Sequence, residues 1–360
     1  MDYYKTNNKS ISSRKMRKML VSLKQQYPWL KNISSHTLGN RVLDLGLAYD
    51  NFFRIQQKEE KFSKKTIQKA TRLKKTLDIY NLKGHPKFKS RKTAKSSFYV
   101  RSESLYFINN TVNIEKIGKI VFDSSYDIKL PQGRCKIKFS NTRIKYINNK
   151  WILSFGMECE NQTPILNDYC LGIDLGIKKL AVINYNQNQS LIFANINKEK
   201  DIKKLKKRLK YFQREMCRRQ FESKNWQKSK NKIQNIYAKL SNKRHDYTHK
   251  TTTKIVNLLP KTIVMEDLNI CGILKNKHLS KVISEQCWYE FKKQIKYKCQ
   301  FLGINFKLAD RFYPSSKLCS NCGCVKNTLQ LKDRIYKCEE CGLIIDRDLN
   351  AAINLEKLAY

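Results

Sequence analysis

Two CxxC pairs near the C-terminus constrain what this chain can fold into more than any other feature of its 360 residues. Cys319 and Cys322 stand in LCSNCG, Cys338 and Cys341 in YKCEECG, with fifteen residues between Cys322 and Cys338. Thiolates spaced this way wrap one ion from two sides, the pattern of a zinc ribbon. Gly323 and Gly342 each follow the second cysteine of a pair, where a tight turn favours a residue without a Cβ. Cys324 is a spare thiol two residues on, but the symmetric pairs suit tetrahedral coordination better. Four thiolates leave no position open for water, so the expected role of zinc is structural.

The charge balance points to the partner. Lys and Arg number 73 against 30 Asp and Glu, a formal +43. Such a surplus repels itself unless a polyanion neutralises it, and nucleic acid is the commonest one. No apolar run approaches the ~20 residues of a bilayer span, and the opening MDYYKTNNKSISSRK lacks the apolar core of a secretory signal. The expectation is therefore a soluble protein with no membrane partner and no small-molecule cofactor, cytoplasmic and, in a bacterial host, nucleoid-associated. The remaining cysteines, Cys135, Cys159, Cys170, Cys217, Cys271, Cys287, Cys299 and Cys324, read as reduced, partly buried thiols rather than a disulfide framework.

Along the chain, residues 10 to 53 read as helices, with Leu38, Val42, Leu45, Tyr49 and Phe52 drawing one apolar stripe behind a cap at Ser34 or Ser35. Residues 56 to 95 are Lys-rich: FSKKTIQKATRLKKTLDIYNL predicts a helix and GHPKFKSRK a basic loop. From Ser97 to Glu160 the runs SFYV, SLYFI, KIVF, CKIKF, RIKYI and WILSFGMEC predict a small all-β module, a barrel, with Asn148-Asn149 turning between the last two. NQTPILNDYC reads as a linker. CLGIDLGIKKLAVINY and SLIFAN then form strand, turn and strand, before a basic segment from Lys198 to Leu259. There Ile202, Leu205, Leu209, Phe212 and Met216 keep one apolar seam, which fits either a solvated coiled-coil hairpin or a helix lying along phosphates. KTIVMEDLNI, WYEFKKQIKYKCQFLG and INFKLADRFYPSS continue as strand, helix and strand, an α/β pattern.

Three acids stand out within it. Asp174 lies among apolar residues in LGIDLG, Glu266 closes the apolar strand IVMEDL, and Asp348 in DRDLNAA stands where a helix begins. An ionised carboxylate in a core strand is costly unless it is paired or binds a metal. Taken singly, a strand Asp is an ordinary hydrogen-bonded residue and an Asp before a helix is a cap. Together they suit divalent cations, because phosphodiester hydrolysis uses two ions about 3.5 to 4 Å apart. Asp267, next to Glu266, should face the other side of its strand.

The series LGIDLGIKKLAV, IVMEDLNI, FYPSSKLCSNCG, YKCEECG and DRDLNAAINL resembles the C-terminal half of the TnpB (OrfB) proteins of insertion sequences, relatives of the Fanzor proteins and the type V CRISPR effectors. The resemblance covers roughly Gly172 to Leu355. It extends more loosely upstream to WLKNISSHTLGNRVLDLGLAYDNFF and GHPKFKSRK. It implies a multidomain α/β fold: a helical recognition segment with its basic loop at 1–95, a β-barrel-like wedge module at 96–165 lacking its first strand, an RNase H-like (RuvC-like) nuclease core at 166–316 and 342–360, and an inserted zinc ribbon at 317–341. The further strand and helix with which family members begin are absent ahead of DYYKTNN, which argues for a truncated copy. The Lys-rich stretch from Lys58 to Leu82 is also longer than the family's usual connection.

The resemblance further implies a DNA endonuclease directed by a guide RNA from the transposon end, with Asp174, Glu266 and Asp348 as the catalytic ligands of Mg²⁺. Asp346 competes with Asp348 for the third position; Asp348 directly precedes Leu349, Asn350 and Ala351, the family's x-N-A pattern. The phosphate-binding candidates are Lys87, Lys89 and Arg91 in the basic loop and Lys203, Lys206, Lys207 and Arg208 in the basic helix. Two other readings use the same residues: a nucleic-acid-binding accessory protein of the element without cutting activity, and a transposase that acts directly in recombination.

Overall fold

Strand alternation organises most of what the chain builds. The computed structural model describes residues 11–56, 67–68, 71, 82, 84–89, 96–123, 139–147, 150–158, 163–186, 189–330 and 333–360. The chain divides into two units, Met1–Cys159 and Glu160–Tyr360.

In the first unit, α1 (Ser13–Gln26) starts at Ser12, whose Oγ accepts the Lys15 amide at 3.3 Å. α2 spans Ser35–Gln56. Its contact with α1 departs from the apolar stripe: Phe52 is buried, but Leu45 is 44% exposed. Gly39 and Gly46 instead face α1, and a Cβ on Gly46 would stand 2.3 Å from Ser13 Oγ. Residues seven apart share a helix face, and here the missing side chains let the helices approach. The Ser34 hydroxyl donates to Glu115 at 3.0 Å. Most of the Lys-rich helix expected over 62–82, the CKIK run and the Asn148-Asn149 turn lie outside the described residues.

The β module of this unit comprises β1 (Ser97–Tyr99), β2 (Tyr106–Ile108), β3 (Thr111–Ile114), β4 (Gly118–Val121), β5 (Phe139–Ile147) and β6 (Lys150–Met157). A closed barrel is not found among the described residues. Two antiparallel three-stranded sheets, β1-β5-β6 and β2-β3-β4, share one core of Val100, Leu105, Phe107, Val112, Ile114 and Ile144. Phe107 packs against Phe122, Phe139 and Phe155 with ring centroids 5.5 to 5.8 Å apart, so aromatic burial between the sheets supplies the core that closure would have enclosed. β3, TVNI, has two apolar residues and carries too short an alternation to stand out in the sequence.

The second unit begins with an antiparallel meander of β7 (Asn167–Leu175), β8 (Lys179–Tyr185) and β9 (Gln189–Ala194). β7 starts inside the segment expected to be a linker. A helical hairpin, α3 (Lys200–Arg218) and α4 (Lys224–Val256), joins Ile202 to Ile236 and Leu240, with Leu205, Leu209 and Phe212 packed alongside; the seam is therefore an intramolecular core. Then follow β10 (Pro260–Glu266), the short helices α5 (Ile270–Ile273) and α6 (Ser280–Gln286), α7 (Trp288–Leu302), β11 (Asn305–Ala309), the hairpin strands β12 (Ile335–Lys337) and β13 (Ile344–Asp346), and α8 (Arg347–Lys357).

The main sheet runs β11-β10-β7-β8-β9, with β10 parallel to both its neighbours. The period of two sorts its residues. Leu171 and Ile173 of β7 and Ile263 and Met265 of β10 enter the core with Ile255, Phe291 and Ile295 from α4 and α7. Val264 packs on the opposite face with Leu355 of α8. Gly172 lies on that second face: a Cβ there would stand 2.0 Å from the Ala352 carbonyl oxygen and 2.4 Å from the Glu356 nitrogen. Only glycine lets α8 lie this low on the strand that carries Asp174.

Candidate metal centres

The alternation that buries Ile173 and Met265 turns Asp174 and Glu266 the other way, toward α8. Ile173 and Met265 are register partners on adjacent parallel strands, so the two acids occupy the next position of each strand, side by side. α8 brings Asp348 to the same end of the sheet: a Cβ on Gly176, just past β7, would stand 3.9 Å from Asp348 Oδ2. Burial, then the charges of Glu266 and Asp348, push the Asp174 carboxyl well above its ordinary value. Burial likewise raises Glu266, against a hydrogen bond from the Ser315 hydroxyl. Burial and like charges thus disfavour both ionised carboxylates, and Arg347, which lowers Asp174, offsets them only in part.

The competing acids are differently employed. Asp346 is the N-cap of α8: its Oδ1 accepts the amides of Asp348 at 3.0 Å and Leu349 at 3.1 Å, and its Oδ2 meets Lys179 at 2.9 Å. Burial would raise it, but Lys179 and the Leu349 amide outweigh that and hold it below the usual range. Asp267 carries Arg311 at 2.7 Å and Lys292 at 3.1 Å, and those partners lower it. Asp348 has Arg347 at 3.3 Å.

The four cysteines form the second group. Among the described residues, they are the one set of three or more Cys, His, Asp or Glu ligand atoms that all lie within 4.8 Å of one another, so they can hold a metal ion. Cys319 and Cys341 sulfurs are 3.6 Å apart, Cys322 and Cys338 3.5 Å. A tetrahedral shell with bonds of about 2.3 Å asks for about 3.8 Å. The Leu343 amide, then Asn321, lower the Cys341 thiol to about 6. Against the Cys324 amide, burial and the other three thiols push Cys322 up to about 12. Cys324 serves through its backbone, its carbonyl accepting the Cys319 amide at 2.8 Å. Gly323 and Gly342 adopt φ of +78° and +71°, the left-handed turns that glycine permits. Elsewhere Cys170 and Cys299 are buried and Cys287 half-buried, whereas Cys217, Cys271 and Cys324 are exposed, so the expected partial burial holds for some of these free thiols and not for others.

Of the expected phosphate contacts, Lys203, Lys207 and Arg208 are exposed on α3, as are Lys87 and Lys89 in their loop. Arg91 lies outside the described residues. Lys206 is occupied: it pairs with Glu285 at 2.6 Å, and Arg244 meets the same carboxylate at 3.4 Å, fastening the helical hairpin to α6. Sequence reasoning missed Ser315 and Asn354, and the contacts made by Gly172 and Asn350. The signal available for the two asparagines was their place four apart in the otherwise apolar run NAAIN. Among the described residues no helix is long and apolar enough to cross a membrane.

Residues 155–277 match the OrfB family described as "Probable transposase", and residues 288–355 match the family described as "Cas12f1-like, TNB domain". Together the two matches make the chain similar, over most of its second half, to the OrfB proteins of insertion sequences and to Cas12f1-like proteins. It is 28% identical over 333 residues to a "Putative RNA-guided DNA endonuclease" of Streptomyces pristinaespiralis, covering 92% of this chain and 73% of that one. It is also 28% identical over 370 residues to "Putative RNA-guided DNA endonuclease InsQ" of Escherichia coli K12, covering 98% and 82%. The CRISPR-associated endodeoxyribonuclease Cas12f1 of Sulfoacidibacillus thermotolerans is 26% identical over 272 residues, covering 69% of this chain and 58% of its own length.

Proposed function

We propose that this chain is the RNA-guided DNA endonuclease of a mobile element, hydrolysing phosphodiester bonds at Asp174, Glu266 and Asp348 with two Mg²⁺ ions. The observation that carries the reading is the register that sets Glu266 beside Asp174 on adjacent parallel strands, with Asp348 delivered by α8. The mixed sheet supports an RNase H-type, RuvC-like core, and the relatives named as RNA-guided DNA endonucleases support a guide RNA, drawn from the transposon end, and a DNA target.

The donor set fits the ions. All three groups offer hard carboxylate oxygens, which suit Mg²⁺, and they converge on one end of the sheet from β7, β10 and α8. Bound Mg²⁺ would supply Lewis-acid stabilisation of the attacking and leaving oxygens. The chain's own residues prepare the place: Asp174 and Glu266 are held where their charges are disfavoured until cations arrive, Ser315 orients the Glu266 carboxylate, and the Asp346 cap fixes the first turn of α8 beneath Asp348. The four thiols fit zinc, a soft-ligand site with no vacancy for substrate, at the ribbon between β11 and β13. The exposed cations Lys203, Lys207 and Arg208, with Lys87 and Lys89, are the proposed phosphate contacts.

The deciding experiment is to purify the protein from its own locus, sequence the RNA that accompanies it, then redirect that RNA to a plasmid and assay cutting with Mg²⁺. Recovery of RNA from the element's end and guide-dependent cleavage are the expected results. Absence of both would sink the reading. Strand transfer without a guide would instead favour a transposase, the activity in the OrfB family's description.

A further inference from the structure

The loop that carries the first cysteine pair also touches the supports of two of the acids. On α8, Asn350 and Asn354 lie four residues apart on one face, and both are buried, at 0% and 1% exposure. Asn350 Oδ1 accepts the Ser320 amide at 2.9 Å, and its Nδ2 donates to the Leu318 carbonyl at 2.7 Å. Asn354 Nδ2 donates to the carbonyls of Leu318 at 2.7 Å and Ser315 at 2.8 Å, and Lys357 adds a bond to the Ser320 carbonyl. These backbone groups flank Cys319 on both sides. At the other end of the loop, the Ser315 hydroxyl donates to Glu266. The opposite face of α8 rests on Gly172 through Ala352 and Glu356, with Asp348 one turn before Ala352.

A buried amide with bonds to a neighbouring backbone tolerates one alignment of the two elements, because any slip leaves polar atoms unpaired. The apolar cluster of the ribbon is built around the cysteines themselves, Cys319 and Cys338 with Tyr336, Leu329, Leu343 and Ile345, so its shape depends on what closes the four thiols. We propose that Asn350 and Asn354 are positioning residues that couple occupancy of the cysteine cluster to the geometry of the acid site. Closing the thiols around a metal stiffens 315–320; the asparagines carry that geometry to α8 and Asp348, and Ser315 carries it to Glu266. The cysteine cluster is then a regulator of the acid site as well as a staple. This rests on the metal-binding reading of the acids given above.

Mn²⁺ is the probe, since its binding can be read by electron paramagnetic resonance without any cleavage assay. The full-length chain is compared as wild type, Asp348→Asn, Asn350→Ala/Asn354→Ala and the milder Asn354→Ala. Each is measured with the cysteine metal present and after its removal, at temperatures where circular dichroism shows the sheet intact. Ile295→Val, in the core on the far face of the sheet, controls for general destabilisation. Removing the cysteine metal from wild type should weaken Mn²⁺ binding about tenfold or more, and the double asparagine variant should lose as much while retaining its cysteine metal. Combining the two should add nothing, while Ile295→Val should match wild type. The coupling is overturned if either change alone leaves Mn²⁺ affinity intact, if the two losses simply add, or if Ile295→Val lowers it equally. If Asp348→Asn leaves Mn²⁺ binding unchanged, the reading of the acids fails and takes this inference with it; if it abolishes binding and the asparagine variants do not matter, the coupling alone fails.

Discussion

Three carboxylates and four thiols are gathered in the same unit by opposite physics. Asp174 and Glu266 ride on strands whose other face is fully buried at Leu171, Ile173, Ile263 and Met265, so the sheet holds them in place although their charges oppose it. The cysteines sit on two knuckles and a hairpin of three-residue strands, and the apolar core there is Tyr336 with Leu329, Leu343 and Ile345 around the cysteines themselves. So little buried surface cannot order a segment on its own. On the reading proposed above, the fold holds the acids against repulsion in one place, and in the other the thiols, closed on an ion, would hold the fold.

Removing any acid should give the largest effect. Asp174→Asn, Glu266→Gln and Asp348→Asn should each lower the cleavage rate by about 10²–10³-fold or more, with nucleic-acid affinity measured by filter binding largely kept. Asp346→Ala should retain most activity and lose about 1 kcal/mol of stability with the lost cap. The reverse pattern, Asp346 essential and Asp348 dispensable, would exchange their roles.

Breaking the thiol cluster tests the other half of the comparison. Cys319→Ser or Cys338→Ser should abolish stoichiometric zinc by metal analysis and expose the amides of 315–345 to hydrogen exchange, since structural zinc contributes roughly 10–16 kcal/mol to small folds. Amides of β7 and β10 should stay protected. Their simultaneous loss would mean that the sheet, too, is held by the metal.

Gly172→Ala should cost about 1–3 kcal/mol by overpacking, read as a lower Tm, because its Cβ falls on the α8 backbone. Activity should fall further than Tm suggests, since α8 must lift and Asp348 with it. An unchanged Tm would mean that α8 is not seated against β7.

The smallest effect concerns pH. The folded Asp174 keeps its proton to higher pH than the unfolded chain does, so in metal-free protein its stabilising contribution is present below the ordinary carboxylate range and is lost as pH rises through the raised folded value. Asp174→Asn cannot ionise. Without added divalent ions its Tm should exceed that of wild type by a few degrees at neutral pH, the gap closing on acidification and on adding Mg²⁺ to wild type. A gap independent of pH would show that the acid site carries no repulsion.

Much of the candidate site is legible in order along the chain. CxxC spacing alone selects the four cysteines, and alternation alone turns Asp174 and Glu266 away from the core side of their strands. Less visible are the features whose meaning depends on an approaching partner. Gly39 and Gly46 look like weak points in a helix until α1 lies against them. Lys206 looks like any other basic residue of α3 until Glu285 meets it.

The sequence by itself therefore determined the ligand chemistry, the strand and helix periods, and the basic character of the surface, because covalent spacing and side-chain type fix these within a few residues. Tertiary structure decided which acid caps and which faces the sheet end, through a Lys179–Asp346 pair 167 positions apart. It also decided that the β module packs as two sheets, and that two asparagines of α8 grip the loop around Cys319. Each of those outcomes rests on a hydrogen bond, ion pair or close contact between segments remote in the chain, and no local pattern encodes which remote group will arrive.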